Sequence, residues 1–118
     1  MPMRITKAVD VTRGSVIGDR IEVADTSSTR GKGLLGRTGL EAGAGLWIKP
    51  CNGVHMFGMK FPIDVIGLNG KREVIKLWPN LKPWRISPIS LRLRSVIEVP
   101  AGRIAECGVQ LGDVLEID

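Results

Sequence analysis

Ile63-Asp-Val-Ile-Gly-Leu-Asn-Gly-Lys-Arg-Glu-Val-Ile-Lys-Leu-Trp78 decides the fold class. Two β-compatible runs, Ile63 to Leu68 and Arg72 to Trp78, flank Asn69-Gly70, a dipeptide that supplies the positive φ angles of a tight type I′ turn. The stretch reads as a β-hairpin. On either side lie further short runs rich in Val and Ile: Arg4 to Val11, Arg20 to Ala24, Leu46 to Lys49, Val54 to Met59 and Val114 to Ile117. Leu91 to Val99 alternates, with Leu91, Leu93, Ile97 and Val99 on one face and Arg92, Arg94 and Glu98 on the other, which predicts a half-exposed strand. Pro79 to Pro88 carries three prolines and predicts an irregular connection or an edge.

One helix interrupts this series. Asp25-Thr-Ser-Ser-Thr-Arg30 offers oxygens that cap free helix-start amides, and the helix should run over residues 26–36, held by Leu34 and Leu35. Arg103 to Cys107 has room for a helical turn. Many strands and so few helices predict a mainly β fold, a compact antiparallel β-barrel or sandwich. A parallel β-α-β unit is not expected, because crossovers need more helices than these.

With 118 residues the chain fits one domain, 1–118. A hydrophobic fraction of 43% and a charged fraction of 25% place it among globular rather than disordered chains. Charge breaks up the N-terminus before an apolar run develops, so neither a secretory segment nor a membrane span is expected and the protein should be soluble and cytoplasmic. Cys51 and Cys107 are expected to be buried free thiols. Net charge is +5 but uneven: Lys60 to Arg94 holds eight basic residues against Asp64 and Glu73. A solvated basic face explains that excess better than a nucleic-acid surface does.

Five motifs follow one another in order: Ala24-Asp25-Thr26; Gly33-Leu-Leu-Gly-Arg37; His55-Met-Phe-Gly-Met59 leading into Phe61-Pro-Ile-Asp-Val-Ile66; Ile97-Glu-Val-Pro-Ala-Gly102; and Gly108-Val-Gln-Leu-Gly-Asp113. Together they resemble domain-of-unknown-function family 192, an uncharacterised protein family, from about Ala24 to the C-terminus. The resemblance implies a compact β-rich fold with one helix. It brings no reaction, substrate or catalytic residue. Members often read Trp-Met-Lys-Asn-Thr where this chain has His55-Met-Phe-Gly-Met59.

Candidate sites are sparse. Gly31-Lys-Gly-Leu-Leu-Gly36 matches the dinucleotide-binding pattern, but its glycines fall inside the predicted helix rather than ahead of it. Arg30 and Arg37 have the planar fork that suits an anion in a cleft. Cys51, His55, Met56, Met59, Asp64 and Cys107 are metal-ligand types without metal-ligand spacing, so no metal or cofactor is expected. Asp64 opens an apolar strand and needs a partner, whether Arg30, Arg37, Lys60 or a backbone amide in the Pro62 turn. Trp84, in the proline-rich segment, is a candidate exposed aromatic.

The resulting expectation is a non-catalytic domain that binds a small ligand, anions included, or a protein partner, with Arg37, His55, Asp64 and Trp84 as tentative ligand-binding residues. An enzyme of hydrolase or transferase type, using His55 with Asp64 or a cysteine, is the competing class. A basic nucleic-acid-binding module is the third; five aromatics and no tyrosine weigh against it.

Overall fold

The computed structural model describes residues 3–118. Met1 and Pro2, the beginning of the charged N-terminus, lie outside the described residues. Seven strands and two short helices follow in the order β1 (Ile5–Asp10), β2 (Ser15–Ala24), α1 (Ser27–Lys32), β3 (Ala44–Ile48), β4 (Ile63–Leu68), β5 (Val74–Leu81), β6 (Ser95–Pro100), α2 (Arg103–Cys107) and β7 (Leu115–Ile117). All strands join one sheet, ordered β5-β4-β6-β3-β2-β1-β7. The expected mainly β fold is present, as a strongly curled half-barrel.

The decisive hairpin pairs β4 with β5, Val65 opposite Trp78 and Gly67 opposite Lys76. Its turn is longer than a two-residue type I′ turn. Asn69 Oδ1 accepts from the amides of Lys71 and Glu73, both at 2.9 Å, and the positive φ falls on Arg72, at 61°. An Asx-type side-chain cap has replaced the expected backbone turn. Pro79 is accommodated because β5 lies at the sheet edge, where a missing N–H leaves no ladder bond unmade.

One expectation fails. β2 and β3 are parallel, Ile21 opposite Gly45 and Val23 opposite Trp47, and the segment between them contains α1, so a β-α-β crossover exists. Residues 25–43 are long enough to carry the chain back across the sheet even though the helix occupies only Ser27–Lys32. Thr26 caps that helix through a reciprocal capping box with Thr29. Gly33, at φ 51°, and Gly36, at φ 86°, end it. The glycines of the dinucleotide-like pattern therefore lie at the end of the helix, the wrong end for a phosphate.

The sheet has apolar layers on both faces. Inside the curl, Ile21, Val23, Trp47, Ile66, Leu68, Ile97 and Val99 pack with Ile104 and Cys107 of α2. On the outer face Leu46, Ile48, Ile63, Val65 and Val96 are covered by Leu34, Val54, Met56 and Met59. Central strands are consequently buried on both sides: every residue of β4 is buried, as are 95–99 of β6. That geometry overturns the half-exposed strand read at Leu91 to Val99. Leu91 is 85% exposed ahead of the strand and Glu98 is 5% exposed within it.

Candidate functional site

The outer face carries a cavity of about 410 Å3. Its floor is β6, where Glu98 sits across from Leu46 of β3 and Val65 of β4. One wall is the end of α1 with the turn after it, from Arg30 to Leu35; the other is the loop from Pro50 to Met56, with Met59. This loop was expected to be a strand over residues 54–59. Only His55 makes a bridge, to Ile86. Gly58 turns the chain at φ 78°, and the Met59 amide returns to the Met56 carbonyl at 3.2 Å. Strict alternation along Val54 to Met59 would put Met59 on the His55 face, and the turn breaks it: Val54, Met56 and Met59 face the core, while His55 and Phe57 are exposed.

Two polar groups in the cavity lack partners. Among the described residues no hydrogen bond reaches the Glu98 carboxyl. Burial pushes its pKa up to about 7, with the positive charge of Arg37 pulling the other way. Arg30 Nε is buried and also without a hydrogen-bond partner. Beside them the Cys51 thiol donates to the Gly53 carbonyl at 3.0 Å. Burial raises the pKa of that thiol, opposed by the Gly53 bond, and the charge of Glu98 raises it further. A nucleophilic thiolate needs the opposite shift.

The residues singled out from sequence do not form one site. His55 lines the cavity rim and stacks on Phe57, ring centroids 5.5 Å apart. Phe57 in turn meets Trp84 at 6.2 Å. Those two candidates share one exposed aromatic cluster, and Trp84 is 68% exposed. Arg37 pairs with Glu22 at 2.9 Å and influences the cavity only through its charge at Glu98. Asp64 lies on the inner face of the sheet, with both oxygens occupied: Oδ1 accepts from the Asn80 amide and Oδ2 from the Ile104 amide, each at 2.8 Å. The backbone-amide partner is thus the one realised, although not in the Pro62 turn. A His55–Asp64 pair does not form, because the sheet separates them.

Glu98 was overlooked as a ligand-binding residue. The available signal was a lone acid in Val96-Ile-Glu-Val99, a run otherwise apolar enough for a strand buried on both faces. Cys51 and Cys107 are both free; Cys107 belongs to the inner core. Among the described residues no three His, Cys, Asp or Glu side chains gather closely enough to hold a metal ion. Nor is any described helix long and apolar enough to cross a membrane.

The family model and the relatives that follow carry no assigned activity. The model of family DUF192, described as "Uncharacterized ACR", matches residues 8–117. A UPF0127 protein of Thermococcus sibiricus is 34% identical over 115 residues, 93% of this chain and 72% of the relative. One from Pyrococcus furiosus is 33% identical over 113 residues, 92% and 95% of the two chains. A crystal structure of a protein of unknown function from Novosphingobium aromaticivorans shares the fold at a TM-score of 0.81 and 27% identity, covering 97% of this chain and 84% of that one. The motif order, the curled sheet and the match over residues 8–117 together place this chain in the DUF192 (UPF0127) family of uncharacterised proteins.

Proposed function

We propose that the outer-face cavity binds a small, largely apolar ligand that presents a hydrogen-bond donor to Glu98 and an acceptor or anionic group to Arg30. One observation carries the reading: a carboxyl 5% exposed and without a hydrogen bond lines the same cavity as Arg30, a guanidinium that forms no ion pair among the described residues. Folded proteins pair nearly all their buried polar groups, and the exceptions concentrate where something else supplies the partner. A volume near 410 Å3 suits a small organic molecule. Leu34, Met56 and Met59 supply apolar walls, and the two methionines adapt to ligand shape. The raised Cys51 pKa and the separation of Asp64 from His55 favour binding over nucleophilic catalysis. Free thiols fit a cytoplasmic setting, where they stay reduced.

A thermal-shift screen of small amines, amino acids and amphipathic carboxylates tests the reading. Ligands should raise the melting temperature of the native chain, and Glu98→Gln and Arg30→Gln should each abolish most of that rise. Equal stabilisation of the native chain and both variants, or no stabilising compound in any class, would overturn it.

A second reading rests on the neighbouring surface. The segments around 52–57 and 84–90 run side by side, with the Met56 amide bonded to Arg85 and the Ser87 amide to Val54. They expose Phe57, Trp84, Ile86, Ile89 and Leu91 together. Residues 74–97 contain no acid but include Lys76, Lys82, Arg85, Arg92 and Arg94. An apolar ribbon with a basic surround suits an acidic, partly apolar protein segment. Trp84→Ala with Ile89→Ser should eliminate binding of an acidic amphipathic peptide in a fluorescence titration; unchanged binding, or none by the native chain, rejects this reading.

A further inference from the structure

The far end of the barrel, where β2 and β3 finish and β6 begins, holds a separate depression of about 370 Å3. Topology brings distant residues together here. Lys49 leaves β3, Asp25 leaves β2, Arg94 precedes β6, and Arg72 stands in the hairpin turn. Between them lies Trp47, 3% exposed, whose indole N–H is buried and has no hydrogen-bond partner. The Lys49 ammonium is 4.2 Å from the centroid of that ring and the Arg72 guanidinium 5.0 Å.

Three cations face one acid, and none of the three forms an ion pair among the described residues. Arg72 donates only to the Ile117 carbonyl, at 2.7 Å. Two like charges against one indole repel each other, and the ring quadrupole offsets only part of that repulsion. An anion held in the depression beside them offsets it. We propose that this end of the barrel is a second binding site, apart from the Glu98 cavity, for a small organic oxyanion carrying a phosphate or carboxylate group.

The chemistry of the lining selects such a ligand. Guanidinium groups bind planar or tetrahedral oxyanions through parallel N–H bonds, and Lys49 adds a point charge. The unpartnered indole N–H, a donor closed to solvent, favours negative charge nearby over a cation or hydrocarbon. Asp25 at the edge disfavours an anion large enough to crowd it.

The experiment is an NMR titration of the tryptophan indole N–H signals, with glycerol phosphate in one arm and malate in the other. Trp78→Phe and Trp84→Phe assign the Trp47 signal. Saturable movement of that signal is expected, weakened by added salt, and the tighter of the two probes identifies the anionic group. Lys49→Gln combined with Arg94→Gln should weaken binding about tenfold or more, since hydrogen bonds to charged groups are lost. Neither side chain makes an ion pair or hydrogen bond among the described residues, and circular dichroism checks that the double variant is folded. Glu98→Gln should leave this titration unchanged. The proposal is overturned if neither probe moves the Trp47 signal at tens of millimolar, if the folded double variant binds as the native chain does, or if Glu98→Gln abolishes binding.

Discussion

Two buried acids, Asp64 and Glu98, show at the residue scale how partners separate architecture from a site. Asp64 is fully buried and bonded by two backbone amides, one of them the Ile104 amide near the start of α2, where Gly102 supplies no side-chain cap. The acid of one strand caps a helix distant in sequence. Asp64→Ala should cost about 2 kcal/mol or more in urea unfolding, because two hydrogen bonds vanish and the Ile104 amide is left buried without an acceptor. A loss well under 1 kcal/mol would contradict that role. Glu98 has the reverse signature. Its pKa is raised from 4.5 to about 7, so between those values the folded state holds more protons than the unfolded state. Stability contributed by the protonated carboxyl is therefore complete below about pH 4.5 and lost as pH rises through 7. Glu98→Gln should flatten that slope and make the chain more stable at pH 8 by on the order of 1–3 kcal/mol, read from urea midpoints across pH. If the variant keeps the native slope, Glu98 is not the titrating group.

Elements were legible where their signal was local. The β4–β5 hairpin was readable because Asn69-Gly70 punctuates two β-branched runs, and the start of α1 because Thr26 and Thr29 have capping chemistry. Even so, the turn works through the Asn69 side chain. Asn69→Ala should cost about 1–2 kcal/mol by removing two bonds to the amides of Lys71 and Glu73, whereas Gly70→Ala should be tolerated, since Gly70 has no positive φ and a Cβ there meets only Arg94 Cγ, at 3.8 Å. A type I′ turn would give the opposite order in thermal melts, with Gly70→Ala the more damaging. Tertiary placement was not legible. Alternation locates two faces of a strand but not whether a second layer covers the outer one, so Glu98 read as exposed. The parallel β2–β3 pairing depends on where residues 25–43 carry the chain, and no short motif encodes that. The cavity is similarly hidden: its walls are the end of a helix and an irregular loop, brought over β6 only by packing of Leu34, Met56 and Met59.

The whole molecule depends on how its curled sheet ends. Edge strands β5 and β7 approach at one corner, where the Val74 amide donates to Asp113 and the Gly112 amide to Val74, both at 2.8 Å, and the Leu115 amide donates to Arg72 at 3.0 Å. Side chains lock that seam. Arg13 grips Asp113 with two bonds, at 3.1 and 3.0 Å. Asp10, fully buried, stands next to the same carboxylate. Burial and the neighbouring Asp113 carboxylate, to which a protonated Asp10 can donate, raise the Asp10 pKa to about 6, and as a carboxylate Asp10 leaves Oδ2 buried without a partner. Burial also opposes ionisation of Asp113, but the bonds from Arg13 and the Gln110 amide, with Asp10 as a further donor when protonated, outweigh it and hold that pKa near 2. The pair therefore shares one proton in acid and carries two negative charges once Asp10 ionises. Because the folded pKa of Asp10 lies above its ordinary 3.8, its contribution to stability is complete below that value and disappears as pH rises through about 6. The loss should appear first at the seam, which few ladder bonds hold, and last in β4 and β6 at the centre of the sheet. Hydrogen exchange can resolve this when the Val74 and Leu115 amides are compared with those of Ile66 and Ile97, because a ratio cancels the intrinsic pH dependence of exchange. From about pH 5 to about pH 7 the seam should open severalfold relative to the centre. In Asp10→Asn, whose amide donates permanently to Asp113, the ratio should stay flat. A native ratio that does not change with pH, or an Asp10→Asn ratio that changes as the native one does, would show that the barrel closes without help from this pair.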